Sequence, residues 1–134
     1  MAENMCDEKD QLEKHKKDAV DKYLDQVKLL TALATTLLLS PSVVLAIRKS
    51  EKEVSKLIFE DNPILGYLFL ATNIFFVMCI FLTYFVYSSV VGAVDEGVYD
   101  VYRPATKYFS ISQLICTFCG CITLLFFFFY LARV

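Results

Sequence analysis

Three long stretches of the chain contain no Asp, Glu, Lys, Arg or His. They run from Leu29 to Ile47, from Ile64 to Val94 and from Tyr108 to Ala132, and they contain 19, 31 and 25 residues. As α-helices they would extend about 28, 46 and 37 Å, because a helix rises about 1.5 Å per residue, against a hydrocarbon core of about 30 Å. Each stretch is therefore long enough to cross a bilayer.

Helix is the structure that fits these stretches, because lipid offers no hydrogen-bond partner to a strand outside a closed barrel. The stretches show neither the two-residue alternation nor the frequent turns of a transmembrane barrel. The sequence therefore predicts an all-α integral membrane protein with three transmembrane helices and a charged amphipathic N-terminal helix. We expect a transmembrane domain over 29–132, with spans over about 29–47, 64–88 and 108–132 and amphipathic linkers over 48–63 and 89–107.

Residues 1–28 are predicted to form a charged cytoplasmic helix that runs directly into the first span. Pairs of an acidic residue followed four positions later by a basic one, which stabilise a helix surface, are Asp10 with Lys14, Glu13 with Lys17 and Asp18 with Lys22. Val20, Leu24 and Val27 give the same helix an apolar stripe. Two interpretations are open for residues 7–28: a solvated extension of the span, or a contact surface for another subunit or a cytoplasmic protein partner.

Pro41 lies inside the first span, between Ser40 and Ser42. Proline removes one helical hydrogen bond, which is tolerated in membranes because Ser and Thr side chains can bond the freed backbone group. We expect a kinked helix that crosses the bilayer. The alternative is a re-entrant hairpin that turns at Pro41 and returns to the same side.

The distribution of basic residues bears on orientation, because cytoplasmic loops carry an excess of Lys and Arg. With three crossings, the N-terminal segment and the second loop share one side with eight basic residues, against five on the other side. This difference favours a cytoplasmic N-terminus. A re-entrant first span would place eleven basic residues against two, so charge alone favours that alternative. We expect three crossings, because a 19-residue uncharged stretch at the end of a long helix should insert.

Composition excludes several classes of function. The chain is 57% hydrophobic and has a net charge of −2, which argues against nucleic-acid binding, since that normally requires a basic face. His15 is the only histidine and the four glycines are isolated, so the sequence offers neither a histidine-based catalytic site nor a phosphate-binding loop. We therefore expect no enzymatic activity and no cofactor.

Cys116, Cys119 and Cys121 form a C-x-x-C-x-C run. Inside a phenylalanine-rich span this run lacks the second ligand pair and the water access of a zinc site, so we expect no metal site. Four of the five cysteines lie in apolar stretches, where cysteine behaves as a small hydrophobic residue. Reduced thiols of this kind fit a cytoplasmic-membrane protein, either bacterial or eukaryotic.

Small and polar residues recur at four-residue spacing within the spans. Such rows let helices approach closely in lipid, and polar side chains bond across the contact. The candidate positions for helix contacts or for pore lining are Ala32, Thr36, Ser40, Thr72, Asn73, Thr83, Ser112, Cys116 and Gly120. Packing in a bundle and the lining of a water path are both open for these rows. Asn73 is the most informative, because a carboxamide near mid-membrane is costly unless it is bonded.

The 18-residue segment from Tyr23 to Ser40, YLDQVKLLTALATTLLLS, carries a charged helix into a Thr-rich first span through K-L-L-T-x-L-A-T. This junction resembles the start of small bacterial multi-span membrane proteins. Some proteins of that kind act as membrane effectors of antiphage systems, where they resemble oligomeric pores that depolarise the cell. The resemblance implies an oligomeric membrane protein of that class.

Two functions are consistent with these features. The first is an oligomeric membrane pore or membrane-perturbing effector, lined by Thr, Ser and Asn side chains and gated by an apolar constriction that excludes water. The second is a non-conducting scaffold or accessory subunit that docks a partner through its charged N-terminal helix. In both, three spans with short loops favour a homo-oligomer in the lipid bilayer. The spans lack Asp, Glu, Lys and Arg near their centres, which disfavours an ion-coupled transporter.

Overall fold

The computed structural model describes residues 2–48, 51–97 and 103–133, and the elements in these ranges are helical. In chain order they are α1 (Ala2–Arg48), α2 (Glu51–Lys56), a π-helical turn (Leu57–Asp61), α3 (Pro63–Asp95) and α4 (Pro104–Arg133). Three segments, over Asn4–Ile47, Pro63–Asp95 and Pro104–Arg133, are long and apolar enough to cross a membrane. The predicted all-α fold with three membrane-spanning helices is confirmed.

α1 is a single helix of 47 residues, in which the charged segment continues into the first span without a break. The helix passes through Pro41, whose missing N–H deprives the Leu37 carbonyl of its usual helical donor. The Ser40 hydroxyl donates to this carbonyl at 2.8 Å and so replaces the lost bond. The alternative of a hairpin that reverses at Pro41 is therefore wrong.

The segment between the first two spans folds back on the start of α3. Ile58, in the π-helical turn, is buried against Leu65. The Asn62 carbonyl accepts the N–H groups of Leu65 at 3.0 Å and of Gly66 at 3.3 Å. A Cβ atom on Gly66 would lie 2.7 Å from the Ile58 carbonyl oxygen, so this close approach of two backbone segments requires glycine.

α3 continues beyond the predicted end of the second span and reaches Asp95. Val90 and Ala93 are buried in this extension. The first part of the predicted amphipathic linker over 89–107 is therefore helical, and its apolar face packs against the bundle.

A left-handed glycine follows the end of α3. Gly97 has a φ of 73°, and its N–H donates to the Val94 carbonyl at 2.9 Å, as is common after the last turn of a helix. Arg103 then forms an ion pair with Glu96 at 2.9 Å. This exposed pair joins the end of α3 to the residue that precedes α4.

α3 lies between α1 and α4 and runs antiparallel to both. Pairs of contacting residues that fix this order are Thr31 with Thr83, Leu45 with Leu65, Ser89 with Thr106 and Phe69 with Phe127. In each pairing of helices, residues later in one helix meet residues earlier in the other. α1 and α4 therefore run in the same direction on two flanks of α3, and they contact each other less than either contacts α3.

The N-terminal part of α1 projects beyond the bundle. All side chains of residues 4–19 are exposed, and Val20 is the first buried side chain along the described part of α1. We call residues 4–19 the N-terminal arm. At about 1.5 Å per residue, the arm extends about 24 Å.

Candidate functional site

A hydrogen-bonded junction of three polar side chains joins the three long helices. Thr83 Oγ1 of α3 accepts from Gln113 Nε2 of α4 at 2.8 Å and lies 2.9 Å from Thr31 Oγ1 of α1. Gln113 is fully buried, and Thr83 is 8% exposed. We call these three residues the polar junction.

Proton counting shows how the junction is satisfied, because each hydroxyl has one proton and two lone pairs. Thr83 Oγ1 also lies 3.0 Å from the Cys79 carbonyl, and Thr31 Oγ1 lies 2.8 Å from the Val27 carbonyl. If Thr83 donates to Cys79, its two lone pairs accept from Gln113 and Thr31, and the single Thr31 proton then goes to Thr83 and not to the Val27 carbonyl. The proton and both lone pairs of a single hydroxyl are then used, which ties α3 to both of its neighbours.

Further polar contacts hold α3 to α4 on both sides of the junction. Cys79 Sγ lies 3.0 Å from Thr117 Oγ1, and Ser89 Oγ lies 2.7 Å from Thr106 Oγ1. Interhelical contacts of this kind contribute to helix association in lipid. The hydrophobic effect does not drive helices together there, because lipid tails are as apolar as the helix surfaces. Gln113 Oε1 is buried without a hydrogen-bond partner, so the carboxamide is satisfied at only one of its ends.

The nine residues predicted as helix contacts or pore lining occupy three kinds of position. Buried inside the chain are Thr72, Thr83 and Gly120; half-buried are Ser40, Asn73 and Cys116; exposed are Ala32, Thr36 and Ser112. Of these, the structure brings Thr83 into the polar junction. The others do not converge on one site within a single chain.

Several of these residues make contacts within their own chain. Asn73 Nδ2 donates to the Phe69 carbonyl of its own helix at 2.7 Å, which satisfies part of the mid-membrane carboxamide. Ser40 bonds the Leu37 carbonyl. A Cβ atom on Gly120 would lie 2.9 Å from Phe76 Cε1, so Gly120 serves the packing of α4 on α3.

Two members of the polar junction, Thr31 and Gln113, were missed in the sequence. Gln113 lies in an uncharged stretch, and a carboxamide there carries the same energetic signal as Asn73. That signal could have identified Gln113. Thr31 had no such signal, because its role follows from the pairing of α1 with α3.

The cysteines of α4 are half-buried thiols within the helical bundle. Cys116 and Cys121 pack beside the cluster that contains Phe76 and Cys79. Among the residues that the structure describes, no group of three or more His, Cys, Asp or Glu side chains is arranged to hold a metal ion.

The exposed side of α1 differs in character from the exposed sides of α3 and α4. Within the span, the residues that α1 exposes are Leu29, Ala32, Leu33, Thr35, Thr36, Leu39, Ser42, Val43, Ala46 and Ile47. We call these residues the outward face of α1. The large exposed residues of the other two helices include Tyr67, Leu70, Phe81, Tyr84, Phe118, Leu125, Phe126 and Phe129. Half of the residues on the outward face of α1 are thus small or hydroxyl-bearing, whereas the exposed residues of α3 and α4 are mainly aromatic or long aliphatic.

Two hydroxyls of the outward face, those of Thr35 and Thr36, are bonded to their own helix. Thr35 donates to the Thr31 carbonyl and Thr36 to the Ala32 carbonyl, each at 2.8 Å. Each hydroxyl proton is used in this way, and the oxygen keeps lone pairs that can accept from water. Thr35 and Thr36 can therefore meet either a neighbouring helix or a water path without an unsatisfied donor.

Comparison of the chain with protein-family models, with curated proteins and with solved structures gives no match.

Proposed function

We propose that the protein assembles as a homo-oligomer in a membrane and forms a pore that is lined by the outward face of α1. One observation carries the proposal: half of the side chains that α1 exposes within the span are small or hydroxyl-bearing, whereas α3 and α4 expose mainly aromatic and long aliphatic side chains. The aromatic and long aliphatic faces of α3 and α4 suit contact with lipid. The small and hydroxyl-bearing residues of α1 suit close helix contacts and contact with water.

In this proposal, the polar side chains that the structure describes between the helices do not form a water path. The polar side chains between the helices, at Thr31, Thr83 and Gln113, bond one another across the bundle. Their role is to hold the three helices together. A conducting path therefore requires several copies, with α1 facing the axis and with α3 and α4 facing outward.

The direct experiment is electrical recording from the purified protein in planar bilayers. We expect discrete current steps from the wild type. Thr36→Leu should lower the unit conductance, because it puts a bulkier apolar side chain on the water path.

The matched control is Phe118→Leu on α4. Thr31 and Gln113 meet at the junction, and α1 and α4 run in the same direction, so Thr36 and Phe118, five residues further along each helix, lie at about the same depth. Phe118 is 67% exposed, and the proposal puts it against lipid. Its substitution should leave the unit conductance unchanged.

A non-conducting scaffold is the second candidate function, and the N-terminal arm favours it. Residues 4–19 are exposed on all sides and carry both acidic and basic side chains, so the arm could dock a cytoplasmic protein. This candidate predicts that inserted, folded protein passes no current in the same recording. That result would replace the pore proposal.

Localisation and biological role extend the proposal. We place the protein in a bacterial inner membrane with a cytoplasmic N-terminus and an external C-terminus, which reporter fusions at each end would test. In the antiphage role implied by the Tyr23–Ser40 segment, active protein would depolarise the host cell. A voltage-sensitive dye would detect that change, and Thr36→Leu should reduce it.

A further inference from the structure

Along the outward face of α1, small and hydroxyl-bearing residues are followed by the apolar residues Leu39 and Val43. Along this face the residues at spacings of four, three and four are Ala32, Thr36, Leu39 and Val43, which share one side of a helix. Leu39 is 58% exposed and Val43 is 52% exposed. Ala46 and Ile47 follow Val43 on the same face, and Ile47 is 80% exposed. Ala32 and Thr36 therefore lie on the N-terminal side of an apolar segment that begins at Leu39, near the middle of the uncharged stretch.

The backbone of α1 lacks one helical hydrogen bond at the same depth. Pro41 lies between Leu39 and Val43 in the chain and is buried on the opposite side of the helix. Because proline has no N–H, the Leu37 carbonyl accepts from the Ser40 hydroxyl instead, at 2.8 Å. A side-chain hydroxyl can leave this carbonyl without breaking the helix, so α1 can bend here more easily than at a position with a complete backbone ladder.

From this coincidence we infer that Leu39 and Val43 form the gate of the pore and that Pro41 and Ser40 form its hinge. The inference rests on the proposed function and specifies how the same path is regulated. When copies of α1 surround an axis, rings of Leu39 and Val43 make an apolar constriction that excludes water and ions. A bend at Pro41 moves one ring relative to the other and widens the constriction.

The rest of the outward face is consistent with this assignment. Thr35 and Thr36 lie about one turn before Leu39, and their oxygens can accept from water. Water therefore reaches the constriction from the N-terminal side. A barrier confined to about two turns of helix can dewet and refill, which allows the pore to open and close.

The test is the open probability of the reconstituted full-length protein in planar bilayers. Leu39→Thr should raise the open probability at least tenfold, because a hydroxyl in the ring keeps water in the constriction. Pro41→Ala should lower the open probability and leave the unit conductance unchanged, because it restores the backbone bond at the hinge. Light scattering in detergent must show the same oligomer size for each variant.

Leu125→Thr is the matched control. Leu125 is 70% exposed on α4, it is the same residue type as Leu39, and it lies at about the depth of Val43. We expect its substitution to leave the open probability unchanged. If the wild type conducts and Leu39→Thr alters the open probability no more than Leu125→Thr does, the assignment of the gate is wrong and the pore proposal is retained. If neither the wild type nor Leu39→Thr conducts, the pore proposal and the assignment of the gate are both wrong.

Discussion

Removal of the Thr83 hydroxyl should destabilise the bundle through its effect on Gln113. Thr83→Val keeps the shape of the side chain and deletes the oxygen that accepts from Gln113 Nε2 at 2.8 Å. Gln113 is fully buried, and its Oε1 is already without a partner. The variant therefore leaves a carboxamide buried in the bundle without the one side-chain bond that held it.

The magnitude follows from two limits. A buried polar group that loses its partner costs about 1 to 3 kcal/mol. Polar contacts between membrane helices are worth about 0.6 kcal/mol on average and up to about 1.7 kcal/mol, because the unfolded chain in the membrane also finds partners. We expect Thr83→Val to lower the free energy of unfolding by about 1 to 1.7 kcal/mol, where these ranges overlap.

The assay is reversible unfolding in mixed detergent micelles, followed by energy transfer between probes on α1 and α4. The control is Thr123→Val, because the Thr123 hydroxyl donates to the Cys119 and Gly120 carbonyls of its own helix, where no other side chain loses a partner. Adding Gln113→Leu to Thr83→Val should recover part of the lost stability, since removing both partners leaves nothing unsatisfied. A loss from Thr83→Val no larger than that from Thr123→Val would refute the reasoning.

Three glycine substitutions give further predictions, each measured by the same unfolding assay. Gly66→Ala should lower the free energy of unfolding by about 1 to 3 kcal/mol, because its Cβ would lie 2.7 Å from the Ile58 carbonyl oxygen; an unchanged midpoint would show that the linker can move away. Gly120→Ala should cost a similar amount, about 1 to 3 kcal/mol, because its Cβ would meet the buried Phe76 ring at 2.9 Å. Gly92→Ala should instead stabilise α3 by about 0.5 to 1 kcal/mol, since nothing lies within 4 Å of the added atom; a loss of stability there would contradict the exposed position of Gly92.

The spans could be predicted from the sequence because lipid imposes a simple requirement on each of them. A stretch such as Leu29 to Ile47 must be helical if it is to satisfy its backbone in a bilayer. The same argument predicted that a hydroxyl would compensate for Pro41, and the Ser40 bond to Leu37 is that compensation. Rules that act within one helix are therefore accessible from the sequence.

The faces of the helices were harder to predict. A row of residues at spacing four drifts by about 40° at each step, since a helix has about 3.6 residues per turn. The row Ala32, Thr36 and Ser40 therefore begins on the exposed side of α1 and ends half-buried. Which side is buried depends on how α1 pairs with α3, and this pairing is not encoded in the composition of α1 alone.

The polar junction shows the same limit. Thr83 was predicted as a polar contact, but its partners come from two other helices, 52 and 30 residues away in the chain. Their meeting depends on the register of two antiparallel helix pairs. The sequence shows that a buried polar group needs a partner; it does not show which of several hydroxyls and amides supplies it.

The most direct test of the central claim, that the outward face of α1 meets water in an oligomeric pore, is the labelling rate at Thr36. Thr36→Cys and Phe118→Cys would be made in a Cys6→Ser background, reconstituted in vesicles and exposed on the N-terminal side to a membrane-impermeant thiol reagent, with the parent protein as the blank for the native cysteines. Thr36 lies on the N-terminal side of Leu39, so a closed gate does not shield it. The account predicts that Thr36→Cys reacts at least tenfold faster than Phe118→Cys, which lies at about the same depth and faces lipid. Equal rates at the two positions would contradict it.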